Sequence, residues 1–304
     1  MAAATFVPVA GKLAQAMNLT AYALIMLMFF FHGVRLPGRA IVQAVTNWRL
    51  HGAILAVTFL AFPLAGFLLR EAGLALLPAG IAAGLLYLTL VPSTVQASVA
   101  FTAVGQGNVA ASVAAASTSN ILGVFVTPAL VAVLMGAGAG AGVSPDAALK
   151  VVALLLAPFI AGHLLRRWLS EWAGRNKRLL GLTDKGAIML IVYTAFSAAV
   201  LQGVWTRLGA GELAQLFGLC LLLLTVVTGL LWLLARRFPA DMRATLIFCG
   251  GQKSLAAGAP MASLLFATPL VGELLLPLMI YHQAQLVLAA LIAPYLAQSK
   301  PIMS

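Results

Sequence analysis

Within the apolar run "LIFCGGQKSLAAGAPM", residues 246–261, stands a single lysine, Lys253, just after the pair Gly250–Gly251 and Gln252. A lysine at the centre of a membrane-spanning helix costs roughly 2.5–3.5 kcal/mol on insertion scales, so it has a partner or a task. The acidic residues do not supply the partner, since Glu71, Asp146, Glu212 and Glu273 map to one edge of the apolar runs and Glu171, Asp184 and Asp241 to the other. That leaves a ligand, water, backbone carbonyls, or an amine that carries no charge. The plainer alternative is a lysine that steadies a helix crossing through carbonyl contacts or snorkels along its own stem. Ser112, Ser119 and Asn120 share one helix face and line a site or serve close packing. A further polar cluster, His282 with Gln283 and Gln285, lies in "MIYHQAQL".

Enzyme chemistry has no foothold here. There is no HExxH, GxSxG or P-loop pattern, and His32, His51, His163 and His282 lack metal-ligand spacing. Cys220 and Cys249 lie in different apolar runs without CxxC spacing, as small core residues do. The glycine-rich stretch 136–142 follows an apolar run rather than a strand and reads as a flexible connection, not a phosphate loop.

The elements that must position these residues are membrane helices. Of 304 residues 62% are apolar and 8% charged, against about a quarter charged in soluble domains, and the mean hydropathy is +1.05. Nine candidate spans follow, at 18–34, 50–69, 72–104, 108–136, 147–165, 186–204, 213–235, 244–272 and 274–297, within one integral membrane unit, 1–304. Residues 1–17 have apolar residues at helical spacing and suggest a short helix lying on the membrane surface. The net charge of +11 is an orientation signal and not a nucleic-acid site. If the loop 35–49 is cytoplasmic, most basic residues gather on that side and only Lys12, Arg70, Lys150 and Arg207 lie opposite, which gives an outside N-terminus and an inside C-terminus.

Spans 72–104 and 244–272 are too long for single straight helices, and each carries an internal break, at "LVPSTVQASVAFT" and "CGGQKSLAAGAP". Gln96-Ala97-Ser98-Val99-Ala100 pairs with Gln252-Lys253-Ser254-Leu255-Ala256, an odd number of crossings apart. The expectation is an all-α inverted-repeat transporter fold in which two discontinuous helices meet at the midplane. The first, shortened repeat is 1–136 and the second 147–297. Half-helix starts expose unpartnered amides and positive partial charge, which suits an anion.

With "FFFHG", "PSTVQASVAFT", "GNVAASVAAASTSN", "KSLAAGAPM" and "LPLMIYHQ", the sequence resembles the bile acid:sodium symporter family, its bacterial branch in particular, from about Phe29 to about Ala297. The resemblance implies a panel domain, here 18–34 with 147–204, and a core domain, 50–136 with 213–297, holding the crossed helices. Ser98, Ser112 and Gln252 match sodium ligands of the family. Thr58 stands for a liganding glutamine, Val99 for an asparagine, Ala116 for a threonine, and Phe248 for the glutamate that bridges both ions. Gln96, Ala97, Lys253, His282 and Gln283 match substrate-facing positions. Two roles follow for Lys253: replacing the lost sodium charge and exchanging protons, or gripping a carboxylate or sulfonate directly. The expected function is secondary active transport of an organic, anionic or bile-acid-like amphipathic solute by alternating access in the inner membrane, coupled to Na+ or H+, with membrane lipid as its surroundings. The competing class is a non-transporting regulator or receptor on the same fold.

Overall fold

The computed structural model describes residues 4, 6–35, 47–136, 145–201, 203 and 208–298. They form helices α1 (Gly11–Val34), α2 (Trp48–Leu74), α3 (Ala79–Leu90), α4 (Gln96–Val104), α5 (Val109–Leu134), α6 (Pro145–Leu164), α7 (Arg166–Arg175), α8 (Lys177–Leu201), α9 (Ala210–Ala235), α10 (Ala240–Gly251), α11 (Leu255–Leu265) and α12 (Thr268–Gln298). Among the described residues, α1, α2, α5, α8, α9 and α12 are long and apolar enough to cross a membrane. The pair α6–α7 bends by 90° and would make a seventh span. The protein is an all-helical integral membrane protein.

The remaining four helices are halves. α3 and α4 hold 12 and 9 residues, and α10 and α11 hold 12 and 11, all short of the roughly 20 a bilayer requires. Pro92 removes a donor and disfavours helix at Val91, which ends α3 in an extended residue at φ −78°, ψ 153°. Gln252 is likewise extended after α10, and the Ser254 side chain then caps α11 by accepting from the Ala257 amide at 3.1 Å. The two interruptions therefore fall at 91–95 and 252–254.

Around them, α1 packs on α6 and α8, while α3 packs on α2 and α12 and α9 packs on α10 and α12. Two glycines explain how closely α1 and α6 approach: a Cβ on Gly33 would strike the Phe159 carbonyl, and one on Gly162 the Phe30 carbonyl. Gly250 has a related purpose, since a Cβ there would lie 2.7 Å from the Leu231 side chain of α9. The glycine pair beside Lys253 is thus a packing device, with no positive φ involved. Leucines on the outward faces, such as Leu60, Leu64 and Leu68 of α2, stay exposed as lipid-facing residues do.

Several expectations shift. Gly11 takes φ +60° and starts a helix that runs unbroken to Val34, so residues 11–17 are the first turns of α1 rather than a separate surface helix. Residues 268–272, expected at the end of the eighth span, open α12 because the chain turns after Leu265. The five-residue match between the breaks is out of structural register. Gln96 is the first residue of α4, whereas Gln252 stands three positions ahead of Leu255, where α11 begins. The glycine-rich stretch beyond Gly136 lies outside the described residues.

Candidate functional site

A broken membrane helix must find other partners for its freed backbone groups, because lipid offers none. In the first break every carbonyl from Thr89 to Ser93 is accounted for. Leu90 accepts from the Thr127 hydroxyl at 2.8 Å, Pro92 from the Ser254 amide at 2.9 Å, and Ser93 from the Asn120 side chain at 2.7 Å. The carbonyls of Thr89 and Val91 accept from the Lys253 ammonium at 2.7 and 2.9 Å. The Ser93 amide, which would have closed the helix onto Thr89, donates instead to the Ser119 hydroxyl at 3.1 Å.

The third acceptor of the ammonium is the carbonyl of Thr58, at 2.9 Å. Its availability has a local cause. Residues Val57–Ala61 form a π turn within α2, in which the Phe62 amide bonds the Val57 carbonyl five residues back. The next residue that could serve Thr58 is Pro63, which has no N–H. Below the ammonium lies the ring of Phe62, 4.1 Å from Nζ to its centroid, a cation–π contact. Tyr281 holds that ring edge-on at 6.2 Å. Lys253 is completely buried.

The second break is held by α12. Gln285 grips Lys253 from both sides, its oxygen accepting from the Lys253 amide at 2.7 Å and its nitrogen donating to the Lys253 carbonyl at 2.8 Å. His282 Nδ1 lies 3.2 Å from the same carbonyl, and the Tyr281 hydroxyl donates to Gly251 at 3.0 Å. Tyr281 and Gln285 are four residues apart and so share a helix face.

The residues matched to sodium ligands gather in two linked groups between α4, α5 and α10. The Ser98 hydroxyl lies 3.0 Å from both the Phe248 carbonyl and the Gln252 side-chain oxygen. The Ser112 hydroxyl sits 3.2 Å from Thr102 Oγ1 and 3.1 Å from Cys249 Sγ. A hard cation would need several oxygens free to turn toward it. Here the Ser98 and Gln252 oxygens face each other, Ser112 faces Thr102 and Cys249, Phe248 occupies the carboxylate position, and Gln252 Nε2 is buried without a partner among the described residues. These residues do not make a good sodium site. Thr58 contributes its backbone carbonyl to the lysine, not its side chain to this group.

A cavity of about 390 Å³ lies between the starts of α4 and α11 on one side and α1, α6 and α8 on the other. Thr94, Val95 and Gln96 line it from the first break and Ser254, Ala256 and Ala257 from the second. Asn120 and Ser117 reach it from α5, and Arg35, Asp184 and Lys185 from the far wall. Arg35 pairs with Asp184 at 3.1 Å, and Lys185 makes no ion pair among the described residues. Of the positions expected to face substrate, Gln96 does. Ala97, Lys253, His282 and Gln283 do not line the cavity: the lysine stem points into the helix packing, His282 attends the Lys253 carbonyl, and Gln283 is exposed elsewhere on α12. The wall charges Arg35 and Lys185 were read from sequence as orientation signals alone, because loop arginines and lysines carry no mark of what they face.

The family model of the SBF-like CPA transporter family (DUF4137) matches residues 1–298. Uncharacterized protein PA2026 of Pseudomonas aeruginosa is 45% identical over 98% of this chain and 90% of its own. "Putative symporter YfeH" of Escherichia coli K12 is 41% identical over 95% of this chain and 88% of its own. Sodium/bile acid cotransporter 7 of Rattus norvegicus is 28% identical over 58% of this chain and 52% of its own length. With a membrane-helical fold, two broken helices meeting at their interruptions and a cavity beside them, the chain is a membrane transporter and belongs to the SBF-like CPA transporter family.

Proposed function

We propose that the protein is a secondary active transporter of small amphipathic organic anions in the plasma membrane, working by alternating access. The observation that carries this reading is the cavity, in which the first residues of both half-helices α4 and α11 form one wall. Apart from the Ala257 amide, which Ser254 caps, the first-turn amides and the helix dipoles favour negative charge there. The other end holds Arg35, already neutralised by Asp184, and Lys185, whose ammonium is left to a ligand. Between these polar ends the lining is apolar, with Met28, Phe29, Val113, Ile121, Val124 and Met261, which suits a solute with an apolar body. By the charge asymmetry of the loops Arg35 and Lys185 lie at the cytoplasmic end, so the cavity is the inward-facing state, with the N-terminus outside.

In this reading the helices around the two breaks move as a body against α1, α6 and α8. The test is counterflow in reconstituted vesicles with labelled taurocholate and the smaller ethanesulfonate. Saturable exchange that is slowed by replacing Gln96 or Asn120 with leucine is the expected result. Saturable binding without exchange would assign the fold to a receptor instead.

A further inference from the structure

We propose that the carbonyls of Thr58, Thr89 and Val91 form a monovalent-cation site whose permanent occupant is the chain's own Lys253 ammonium, so that the helix crossing assembles without sodium. Only the consequence for coupling rests on the transport reading above; the site itself does not.

The site is built rather than incidental. Each carbonyl has lost its helical donor through a separate local device: the π turn and Pro63 for Thr58, the helix end and the diverted Ser93 amide for Thr89, and extended backbone at the break for Val91. Thr89 and Val91 lie at the C-terminal end of α3, where the helix dipole leaves negative partial charge, and the Phe62 ring turns its negative face to the same point. Three acceptors at 2.7–2.9 Å match the three N–H donors of an ammonium. An uncharged amine would point its lone pair at a carbonyl or at the ring face, both repulsive. Three acceptors and a ring face around one nitrogen therefore fit the cation.

The position of the site explains why a cation belongs there. It joins the second break, which brings the lysine, to the π turn of α2 and the end of α3, two pieces of chain that otherwise present carbonyl oxygens to one another. Repulsion among those oxygens would open the crossing. A free ion could close it, but only while bound; a tethered ammonium closes it at every stage of the cycle. Ser98, meanwhile, lies on the Phe248 carbonyl and the Gln252 side-chain oxygen, and Ser112 on Thr102 and Cys249, so both hydroxyls are engaged within the protein. Sodium then has no role in assembling the crossing, and coupling of any transport to a sodium gradient is absent.

Truncating Lys253 to alanine removes three carbons and the nitrogen, the atoms of n-propylammonium. The experiment follows the unfolding temperature of the purified full chain in detergent. For the native protein, exchange of choline chloride for sodium chloride at constant ionic strength leaves Tm unchanged. For Lys253→Ala, Tm falls by on the order of 10 °C, and n-propylammonium chloride recovers it saturably where choline chloride does not. A saturable, sodium-selective rise in the native protein overturns the proposal, as does a folded Lys253→Ala that keeps the native Tm or ignores n-propylammonium. If Lys253→Ala cannot be recovered folded, the native titration alone decides. Because the readout is stability, a chain that moves no solute can still satisfy it, and a working transporter can still fail it.

Discussion

The two breaks solve the same problem with opposite chemistry. The first, 91–95, is a set of acceptors: its carbonyls and those of the turn before it project outward and wait for donors from α5, from Ser254 and from Lys253. The second, 252–254, brings the donor, and its own backbone is held by side chains of α12. Neither is stable alone. A carbonyl-rich break without a cation repels itself, and a buried lysine without acceptors carries the full penalty of desolvation. The pair is therefore the unit, and a charge lodged in one half serves polar groups exposed in the other.

The comparison breaks first at Gln285. This side chain alone pairs with the Lys253 amide and provides the shorter of two contacts to its carbonyl. Gln285→Leu keeps the bulk but strands a buried N–H, and is expected to cost about 2–4 kcal/mol. Thermal unfolding should show a Tm lower by roughly 4–10 °C. A Tm within a degree of native would mean that the second break does not depend on α12.

The first break has no such single point of failure, since its carbonyls go to different partners. Thr127→Val removes only the hydroxyl that serves Leu90. The expected loss is smaller, about 1–2 kcal/mol, with the same measurement. Should Thr127→Val cost more than Gln285→Leu, the asymmetry drawn between the two breaks is wrong.

How far the sequence carried this arrangement depends on the kind of signal. The interruptions were legible because Pro92 and the lysine in an apolar run each violate what a spanning helix requires. That Lys253 lacks a carboxylate partner was also legible, from the placement of the seven acidic residues. Which carbonyls would receive it was not. The π turn at Val57–Ala61 has no compositional mark, and what Pro63 does shows only when its missing N–H is set beside the Phe62 bond to Val57. The short match of Gln96–Ala100 to Gln252–Ala256 found the right two regions in the wrong register, because identity over five residues does not report where a helix begins. Tyr281 and Gln285 could have been separated from Gln283 by their four-residue spacing, a pattern available in the sequence.

On the cavity side the contrast is between charges already used and one still available. Arg35 is paired with Asp184, and Lys185 beside it is not paired among the described residues. Lys185→Gln should raise KM for a transported anion about two- to five-fold, the ~0.5–1 kcal/mol typical of an exposed charge contact. The difference from native should shrink as ionic strength rises. An unchanged KM at low salt would leave the half-helix starts as the sole determinants of anion preference.

The finest distinction lies within α12 itself. Gln283 and Gln285 are two residues apart, and on a helix that spacing points side chains in different directions. Gln285 is buried on Lys253, while Gln283 is exposed and outside the cavity lining. Family resemblance places Gln283 next to substrate; the geometry places it away. Gln283→Ala should therefore leave Tm within about a degree of native, stability within roughly 0.5 kcal/mol, and KM unaltered. A rise in KM beyond twofold with Tm preserved would show that another state of the cycle turns this face of α12 toward the solute. The helix that holds the second break would then also help to read what is carried.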